Sequence, residues 1–236
     1  MIAALFILAL RQAVTRRKIA LLIVLAFLPL GLAVILDSTV AEGGTLIGPV
    51  LGGLVISVTL PITVMVLATS AFGNEVEDRT LSLLTTKPVP RWTIVLSKFA
   101  ASVVVAAPLM AVVAAVITMM DPDGVGNAPV AAAIGVVVGV VAYASAFTWL
   151  GLLTTRALGF GLVYVLLWEA LITSFLSGTR YLSIRSYIFG TAHGLNDQAF
   201  GEDLTIAMTP ALVGAALVTV VFFLLTTRRL SRMDIQ

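Results

Sequence analysis

The sequence predicts an all-α integral membrane protein, and two features of its composition support this prediction. Of its 236 residues, 60% are hydrophobic and only 11% are charged, whereas a soluble domain carries about 25% charged residues. The apolar residues also form runs long enough to cross a hydrocarbon layer, which takes roughly 20 helical residues. Helices satisfy their own backbone hydrogen bonds in lipid, and the alternating pattern of membrane strands is not seen in the sequence.

Six apolar segments predict six transmembrane helices, which together make up a domain over residues 19–230. Short connections separate them, and no low-complexity tract interrupts them. In chain order the predicted spans are Ile19–Leu36, Thr45–Phe72, Ile94–Met120, Pro129–Thr154, Leu158–Leu176 and Thr205–Thr227. Pro29, Pro61 and Pro108 fall inside three of these spans, where we expect them to kink the helix.

The first 18 residues are predicted to form a separate helix at the membrane interface. Met1–Leu10 is apolar but too short to span, and a basic cluster that ends at Lys18 follows it. Such a segment can sink its apolar part while its basic part lies among anionic headgroups. The alternative is an extended or frayed start of the first span. A signal peptide has its basic residues first, so we expect this segment to be retained.

The distribution of basic residues predicts that both termini are cytoplasmic, because positive charge collects on that side of a membrane. The connections after the first and third spans contain acids without any Lys or Arg, and the last outer loop, residues 177–204, carries both signs. The basic residues in or beside the segments assigned to the cytoplasm are Arg11, Arg16, Arg17, Lys18, Arg79, Lys87, Arg91, Lys98, Arg156, Arg228, Arg229 and Arg232. We expect a multi-pass protein of a cell membrane, specifically a prokaryotic plasma membrane.

The connection between the second and third spans, residues 73–93, is unusually rich in charge and predicts a short cytoplasmic helix. Glu75 and Arg79 stand four apart in the favourable order for a helical pair. Pro88 ends this helix, and Pro90 can open the next one. Lys98 is expected to extend back to the membrane interface. The apolar face of the helix contains Val76, Thr80, Leu83 and Leu84.

The residues from Glu75 to Arg91, read as Glu-Val-Glu-Asp-Arg-Thr-Leu-Ser-Leu-Leu-Thr-Thr-Lys-Pro-Val-Pro-Arg, then Lys98, resemble the signature region of type-2 ABC transporter permeases, the exporter-type membrane subunits. The resemblance implies that this coupling segment docks into a separate cytoplasmic ATPase subunit. Arg79 stands where many members of the family carry Gly, so the turn is expected to be more helical here. The residues that the resemblance carries over are Glu75, Glu77, Asp78, Thr80, Leu84, Pro88 and Arg91.

The resemblance also implies a function and a set of partners. The chain would be the permease of an ATP-driven exporter, paired with a second copy of itself or a related permease and surrounded by membrane lipid. The sequence contains no Gly-x-x-x-x-Gly-Lys-[Ser/Thr] phosphate loop. We therefore expect no catalytic residue and no cofactor in this chain, with ATP and Mg²⁺ bound by the partner subunit, and no nucleic-acid partner.

Glu169 is the acidic residue that lies deep inside a predicted span, where a charge is costly and must face the protein interior or water. It could lie on a substrate path, or it could form a hydrogen bond to a neighbouring helix or across a dimer. Two other function classes would centre on it, a proton-coupled secondary transporter and an intramembrane enzyme. Against them, we find neither internal repeats with broken helices nor paired acids at one membrane depth.

Small residues and the last outer loop carry the remaining predictions. Gly44, Gly48 and Gly52, and separately Gly135 and Gly139, recur every four residues, which favours close helix packing. His193 is the lone histidine, and the scattered acids after it are weak support for a metal site, so we predict a solvated loop without metal. The family resemblance implies that Tyr181–Ala192 folds part-way back into the membrane.

Overall fold

The computed structural model of the chain describes residues 2–40, 45–77, 90–121, 126–154, 156–172, 177–201 and 206–232. Within these ranges every regular element is a helix, which confirms the all-α prediction. In chain order the elements are α1 (Ile2–Ala13), α2 (Arg16–Val40), a first π-helix (Ile47–Thr59), α3 (Leu60–Glu77), α4 (Arg91–Met120), α5 (Ala128–Leu153), α6 (Ala157–Val163), a second π-helix (Tyr164–Ile172), a 3₁₀-helix (Ser177–Leu182), α7 (Ile184–Leu195) and α8 (Met208–Arg232).

Five of these helical segments are long and apolar enough to cross a membrane, as expected for a multi-pass membrane protein. Their mean hydropathy over the best 18-residue window lies between 2.2 and 3.0. They correspond to five of the six predicted spans, with boundaries that differ by a few residues. The five segments are Arg16–Leu36, Ile47–Gly73, Arg91–Met120, Ala128–Leu153 and Met208–Arg232.

The remaining predicted span, Leu158–Leu176, is helical over the residues that the structure describes. Its first part is α6, which continues as the second π-helix to Ile172, and residues 173–176 lie outside the described ranges. The predicted outer loop that follows is largely helical, since it contains the 3₁₀-helix and α7. The Glu169 carboxylate accepts a hydrogen bond from the start of α7, so α7 begins against the helical segment that precedes it.

The N-terminal segment contains its own helix, but its basic cluster is divided. The helix α1 ends at Ala13, and the Thr15 hydroxyl donates a hydrogen bond to the carbonyl oxygen of Gln12 at 3.2 Å. Residues 16–18, all basic, begin α2 instead of closing α1. The buried Ala9 and Ala13 are the small residues through which α1 can pack closely on α4, the helix it contacts most. Its position at a membrane interface stays a prediction.

The first π-helix runs directly into α3, and Pro61 is the second residue of α3. Proline has no backbone N–H, and its ring clashes with the carbonyl group four residues earlier. A wider π turn just before it changes the hydrogen-bond register and accommodates the ring. At Pro61 the expected kink therefore coincides with a π-to-α change, whereas Pro29 and Pro108 lie within α2 and α4 without interrupting either helix.

The helix α5 is central, since it packs against α3, α4, α7 and α8. Its side chains Tyr143 and Phe147 are buried, and their rings stack with centroids 5.6 Å apart. Gly151 lets α3 approach closely, because a methyl group there would lie 2.5 Å from the carbonyl oxygen of Thr69.

The bundle has two ends of different composition. One end contains the starts of α2 and α4 and the ends of α3, α5 and α8, and it is termed the basic end because its described residues include Arg16, Arg17, Lys18, Arg91, Lys98, Arg156, Arg228, Arg229 and Arg232. There, Arg229 Nε donates to the carbonyl oxygen of Leu152 at 3.3 Å. At the opposite end, Asn196 Nδ2 donates to Asn127 Oδ1 at 3.0 Å.

Candidate functional site

The predicted coupling segment lies at the basic end, and the structure describes its two borders. Glu75 and Glu77 belong to the last turns of α3, where only the backbone is described, and Arg91 is the half-buried first residue of α4. The centre of the segment, and with it the predicted short helix, lies outside the described residues. The predicted site residues concerned are Asp78, Arg79, Thr80, Leu84 and Pro88.

Two lysines converge on α3 just before this segment, and this arrangement is termed the lysine clamp (Lys18, Lys98, Ser70 and Ala71). Lys18 of α2 donates from Nζ to Ser70 Oγ at 2.8 Å and to the carbonyl oxygen of Gln12 at 3.0 Å. Lys98 of α4 donates from Nζ to the carbonyl oxygen of Ala71. The clamp therefore connects α1, α2 and α4 to one turn of α3.

Lys98 is oriented differently from the sequence prediction. Its side chain is 5% exposed and turned inward, with Nζ 4.6 Å from the centroid of the Phe72 ring. A carbonyl oxygen and an aromatic face compensate an ammonium group for part of its lost hydration. These partners come from α3, a different helix, so the sequence near Lys98 could not indicate them. The cavity beside the two lysines is only about 10 Å³, so it holds at most one water.

A second polar cluster surrounds Glu169, which is 1% exposed. Its carboxylate accepts hydrogen bonds from Ser183 Oγ at 2.5 Å and from Tyr164 Oη at 3.2 Å. It also accepts from the backbone N–H groups of Ile184 at 3.0 Å and Arg185 at 3.4 Å. These four partners are donors, which suits the oxygen acceptors of a carboxylate.

The four donors explain what the carboxylate does for α7. The first N–H groups of a helix have no partner within it, and a negative charge is favourable there. Ser183 is the N-cap, and its hydroxyl oxygen accepts from Ser186 N at 3.3 Å. Glu169 therefore holds the beginning of α7 inside the bundle. Its predicted place on a substrate path stays a prediction, since the described carboxylate is enclosed by its donors.

Two glycines of α5 position α7. A methyl group at Gly135 would lie 2.6 Å from the carbonyl oxygen of Ile188, and one at Gly139 would lie 2.3 Å from Ile188 Cδ1. At Gly135 the neighbour is a backbone atom, so only glycine admits α7 at this distance, whereas at Gly139 the neighbour is the end of a side chain. The sequence indicated a packing role for this pair but not its partner. In the other predicted set, Gly52 lies close to the Phe189 ring, whereas Gly48 has no neighbour within 4 Å.

An apolar groove of about 370 Å³ lies beside the Glu169 cluster, between α5, α6 and α8. Tyr164 belongs to both, because its ring lines the groove while its hydroxyl donates to Glu169. The carboxylate itself does not line the groove. The aromatic residues of the lining are Phe147, Trp149, Phe160, Tyr164, Trp168 and Phe222.

A second carboxylate caps a helix at the opposite end. Asp121 Oδ2 accepts from Thr45 Oγ1 at 2.8 Å, from Leu46 N at 2.5 Å and from Ile47 N at 2.6 Å. It thereby fixes the start of the first π-helix to the end of α4. The sequence indicated only an acidic outer loop here, because the residues that Asp121 binds lie more than 70 positions earlier.

The described part of the chain offers little for metal chemistry. His193 lies in the last turn of α7, with Nδ1 2.5 Å from the carbonyl oxygen of Phe200. Among the described residues, no group of three or more His, Cys, Asp or Glu side chains could hold a metal ion. The two buried acids are both engaged with helix N-termini.

No protein-family model matches the sequence, and a search of curated proteins finds no match either. The resemblance to type-2 ABC permeases therefore stays a prediction from the residues between Glu75 and Lys98.

Proposed function

We propose that this chain is the membrane-spanning permease subunit of an ATP-driven exporter of the type-2 ABC class. The five long apolar helices and the pair formed by α6 and the second π-helix would supply six crossings. The basic end would face the cytoplasm, because lysine and arginine concentrate there, and both termini would then be cytoplasmic. The membrane would be a cell membrane, in the prokaryotic case the plasma membrane.

The lysine clamp is the observation that carries this proposal. A coupling segment can move a bundle only if it is firmly joined to more than one helix. Lys18 and Lys98 attach the turn of α3 before the segment to α1, α2 and α4, and Arg91 begins α4 directly after it. A push on residues 73–93 would therefore reach four helices at once.

In the proposed mechanism the energy comes from a separate pair of cytoplasmic ATPase subunits, which bind ATP and Mg²⁺. When they close, they press on the coupling segments of two permease copies, or of this chain and a related one. The helices α3 and α4 tilt together because the clamp joins them. The tilt changes access to a pathway between the two permeases.

Co-purification tests this proposal. We expect that tagged protein, extracted from its native membrane in mild detergent, carries a soluble ATPase in stoichiometric amount, as measured by mass spectrometry. The double variant Glu75→Ala/Glu77→Ala should lose this partner, since the acids are expected to make the charged contact. The matched control removes two acids of the predicted last outer loop, Glu202→Ala/Asp203→Ala, and should keep the partner. Protein that purifies without any ATPase in several detergents would contradict the proposal.

The alternatives that centre on Glu169, a proton-coupled transporter or an intramembrane enzyme, require a carboxylate that protons or substrate can reach. The Glu169 carboxylate instead is surrounded by four donors within hydrogen-bond distance. Replacing Glu169 with Gln separates the proposals. Transport that is lost while ATP hydrolysis stays coupled would favour a role on the pathway, and unchanged transport would leave Glu169 as a helix anchor.

A further inference from the structure

Arg185 lies in the first turn of α7, near the middle of the bundle. Its neighbour along the helix, Ile188, contacts Gly139 of α5, and Gly139 is 11 residues, or about 16 Å, from the start of α5. Arg185 comes three residues before Ile188 in α7 and so lies further from the opposite end of the bundle, at a depth of about 20 Å from the start of α5. The whole of α5 is about 39 Å long, so this arginine lies roughly halfway along it.

The guanidinium group of Arg185 lies beside an aromatic ring. Its Cζ lies 5.7 Å from the centroid of the Phe189 ring, and a methyl group at Gly52 would lie 2.9 Å from Cζ of that ring. Glu169 accepts from the backbone N–H of Arg185. Among the described residues, no carboxylate oxygen forms an ion pair with its guanidinium group.

The half-buried Arg185 lies within electrostatic range of the Tyr143 hydroxyl, but no hydrogen bond joins the two, so its guanidinium group has no bonded polar partner among the described residues. An arginine that faces lipid at mid-depth is strongly unfavourable, and such residues instead face a water-filled cavity or a partner. A role in capping α7 does not explain the position of Arg185 either, because a cation at a helix N-terminus is unfavourable. The Glu169 charge balances part of this effect, yet that carboxylate is already bound by four donors.

We propose that Arg185 and Phe189 line the water-filled substrate pathway and recognise amphipathic anions, molecules that join a phosphate, sulfonate or carboxylate group to an apolar part. The guanidinium group binds the anion, and the ring contacts the apolar portion. This inference rests on the proposed export function, since it names the class of substrate. An acidic residue of a second permease copy is the competing partner for Arg185.

Thiol modification tests the first part of this inference, because the chain contains no cysteine. In membranes that hold the full complex, a Phe189→Cys variant should react with the anionic sulfonatoethyl methanethiosulfonate faster than with the cationic trimethylammonium-ethyl reagent. At a separation near 6 Å we expect a rate ratio of about tenfold. The ratio should disappear in Phe189→Cys/Arg185→Gln and persist in Phe189→Cys/Arg185→Lys.

Two further cysteines serve as controls. Leu217→Cys lies on α8, about one turn beyond Gly214, which contacts the Tyr187 ring, and it is 61% exposed. It has a similar depth but faces lipid, so it should react with neither reagent. Arg185→Cys measures water access directly if Phe189→Cys does not fold. Lack of reaction at both Phe189→Cys and Arg185→Cys, or a ratio that survives Arg185→Gln, would overturn the proposal.

Protection by ligands tests the second part and distinguishes two sources of the anion. The Phe189→Cys protein is reconstituted in phosphatidylcholine vesicles, with and without phosphatidylglycerol, and decyl sulfate is added separately. Slower modification with phosphatidylglycerol would identify a membrane lipid, and slower modification with decyl sulfate alone would identify a soluble amphiphile. If neither phosphatidylglycerol nor decyl sulfate slows the modification of Phe189→Cys, the proposed anion site would be overturned. The same holds if only association with a second permease copy slows it. No ATPase is needed here, so this failure is distinct from a failed co-purification.

Discussion

At the basic end, Lys18 and Lys98 donate to oxygen atoms near the end of α3, whereas in the middle of the bundle Glu169 accepts from the beginning of α7. Each lysine reaches from one helix to oxygen atoms of another through a long side chain, so the clamp joins helices without fixing a helix terminus. The carboxylate instead meets two backbone N–H groups whose positions the helix fixes. The difference indicates that the basic end is suited to pass movement from helix to helix, while the cluster in the middle of the bundle holds one helix in place.

The largest effect on the free energy of unfolding is expected at Glu169. Replacing Glu169 with Ala leaves four buried donors without their acceptor, so the free energy of unfolding should fall by about 3–4 kcal/mol. Glu169→Gln keeps one acceptor oxygen and should lose about 1–2 kcal/mol. Titration with sodium dodecyl sulfate, followed by tryptophan fluorescence, measures both. Equal stability of all three proteins would show that the cluster does not anchor α7.

The second-largest effect on stability is expected where α7 packs on a glycine of α5. Gly135→Ala places a methyl group against the backbone oxygen of Ile188, which cannot rotate away, and should cost about 2–3 kcal/mol. Gly159→Ala is the matched control, because nothing lies within 4 Å of that position. The same detergent titration compares them. If the two substitutions cost the same, α7 does not pack on α5 at this distance.

Variants of Asp121 test whether a carboxylate also stabilises the start of a helix at the opposite end of the bundle. Asp121→Ala removes the acceptor from Leu46 N and Ile47 N and should cost about 1–2 kcal/mol. Asp121→Asn should recover most of this loss, because asparagine is also a good N-cap. Hydrogen exchange of the amides at the start of the first π-helix reports the effect locally. Unchanged exchange in Asp121→Ala would contradict the cap.

The smallest effect on stability is expected in the lysine clamp. Lys98→Met keeps much of the side-chain volume but not the hydrogen bond to Ala71, and we expect a loss of less than about 1 kcal/mol. Transport in vesicles should nevertheless fall strongly while the ATPase partner still co-purifies. Arg156→Gln, at an exposed residue of the same end, should leave transport unchanged. A large loss of stability in Lys98→Met would contradict this prediction, because the lysine clamp would then stabilise the fold as the Glu169 cluster does.

The long apolar helices could be predicted from the sequence because span length depends on composition alone. The predicted Ile94–Met120 and Pro129–Thr154 differ little from α4 and α5. The bonds made by Glu169 and Asp121 could not be predicted, since each joins residues that only the folded chain brings together. The two π-helices were also missed, because a change of hydrogen-bond register leaves no periodic pattern in an all-apolar segment.

The candidate site was partly predictable. The charge-dense segment and the depth of Glu169 are visible in the sequence, but the partners of Lys18 and Lys98 lie on other helices. The family resemblance predicted that Tyr181–Ala192 folds part-way back into the membrane, but the depth of Arg185 could not be predicted, because it depends on where Gly135 and Gly139 receive α7. Glycines spaced by four, in a span that precedes an apolar loop, are the signal that could have indicated this.

In the proposed mechanism ATP, acting at the basic end, changes access in the middle of the bundle. The most direct test is the rate at which a membrane-impermeant thiol reagent, added from the outer side, modifies Phe189→Cys in the assembled complex. This rate is compared between complex without nucleotide and complex trapped with ADP and vanadate. We expect a several-fold difference that Lys98→Met removes. A rate that does not depend on nucleotide would contradict it.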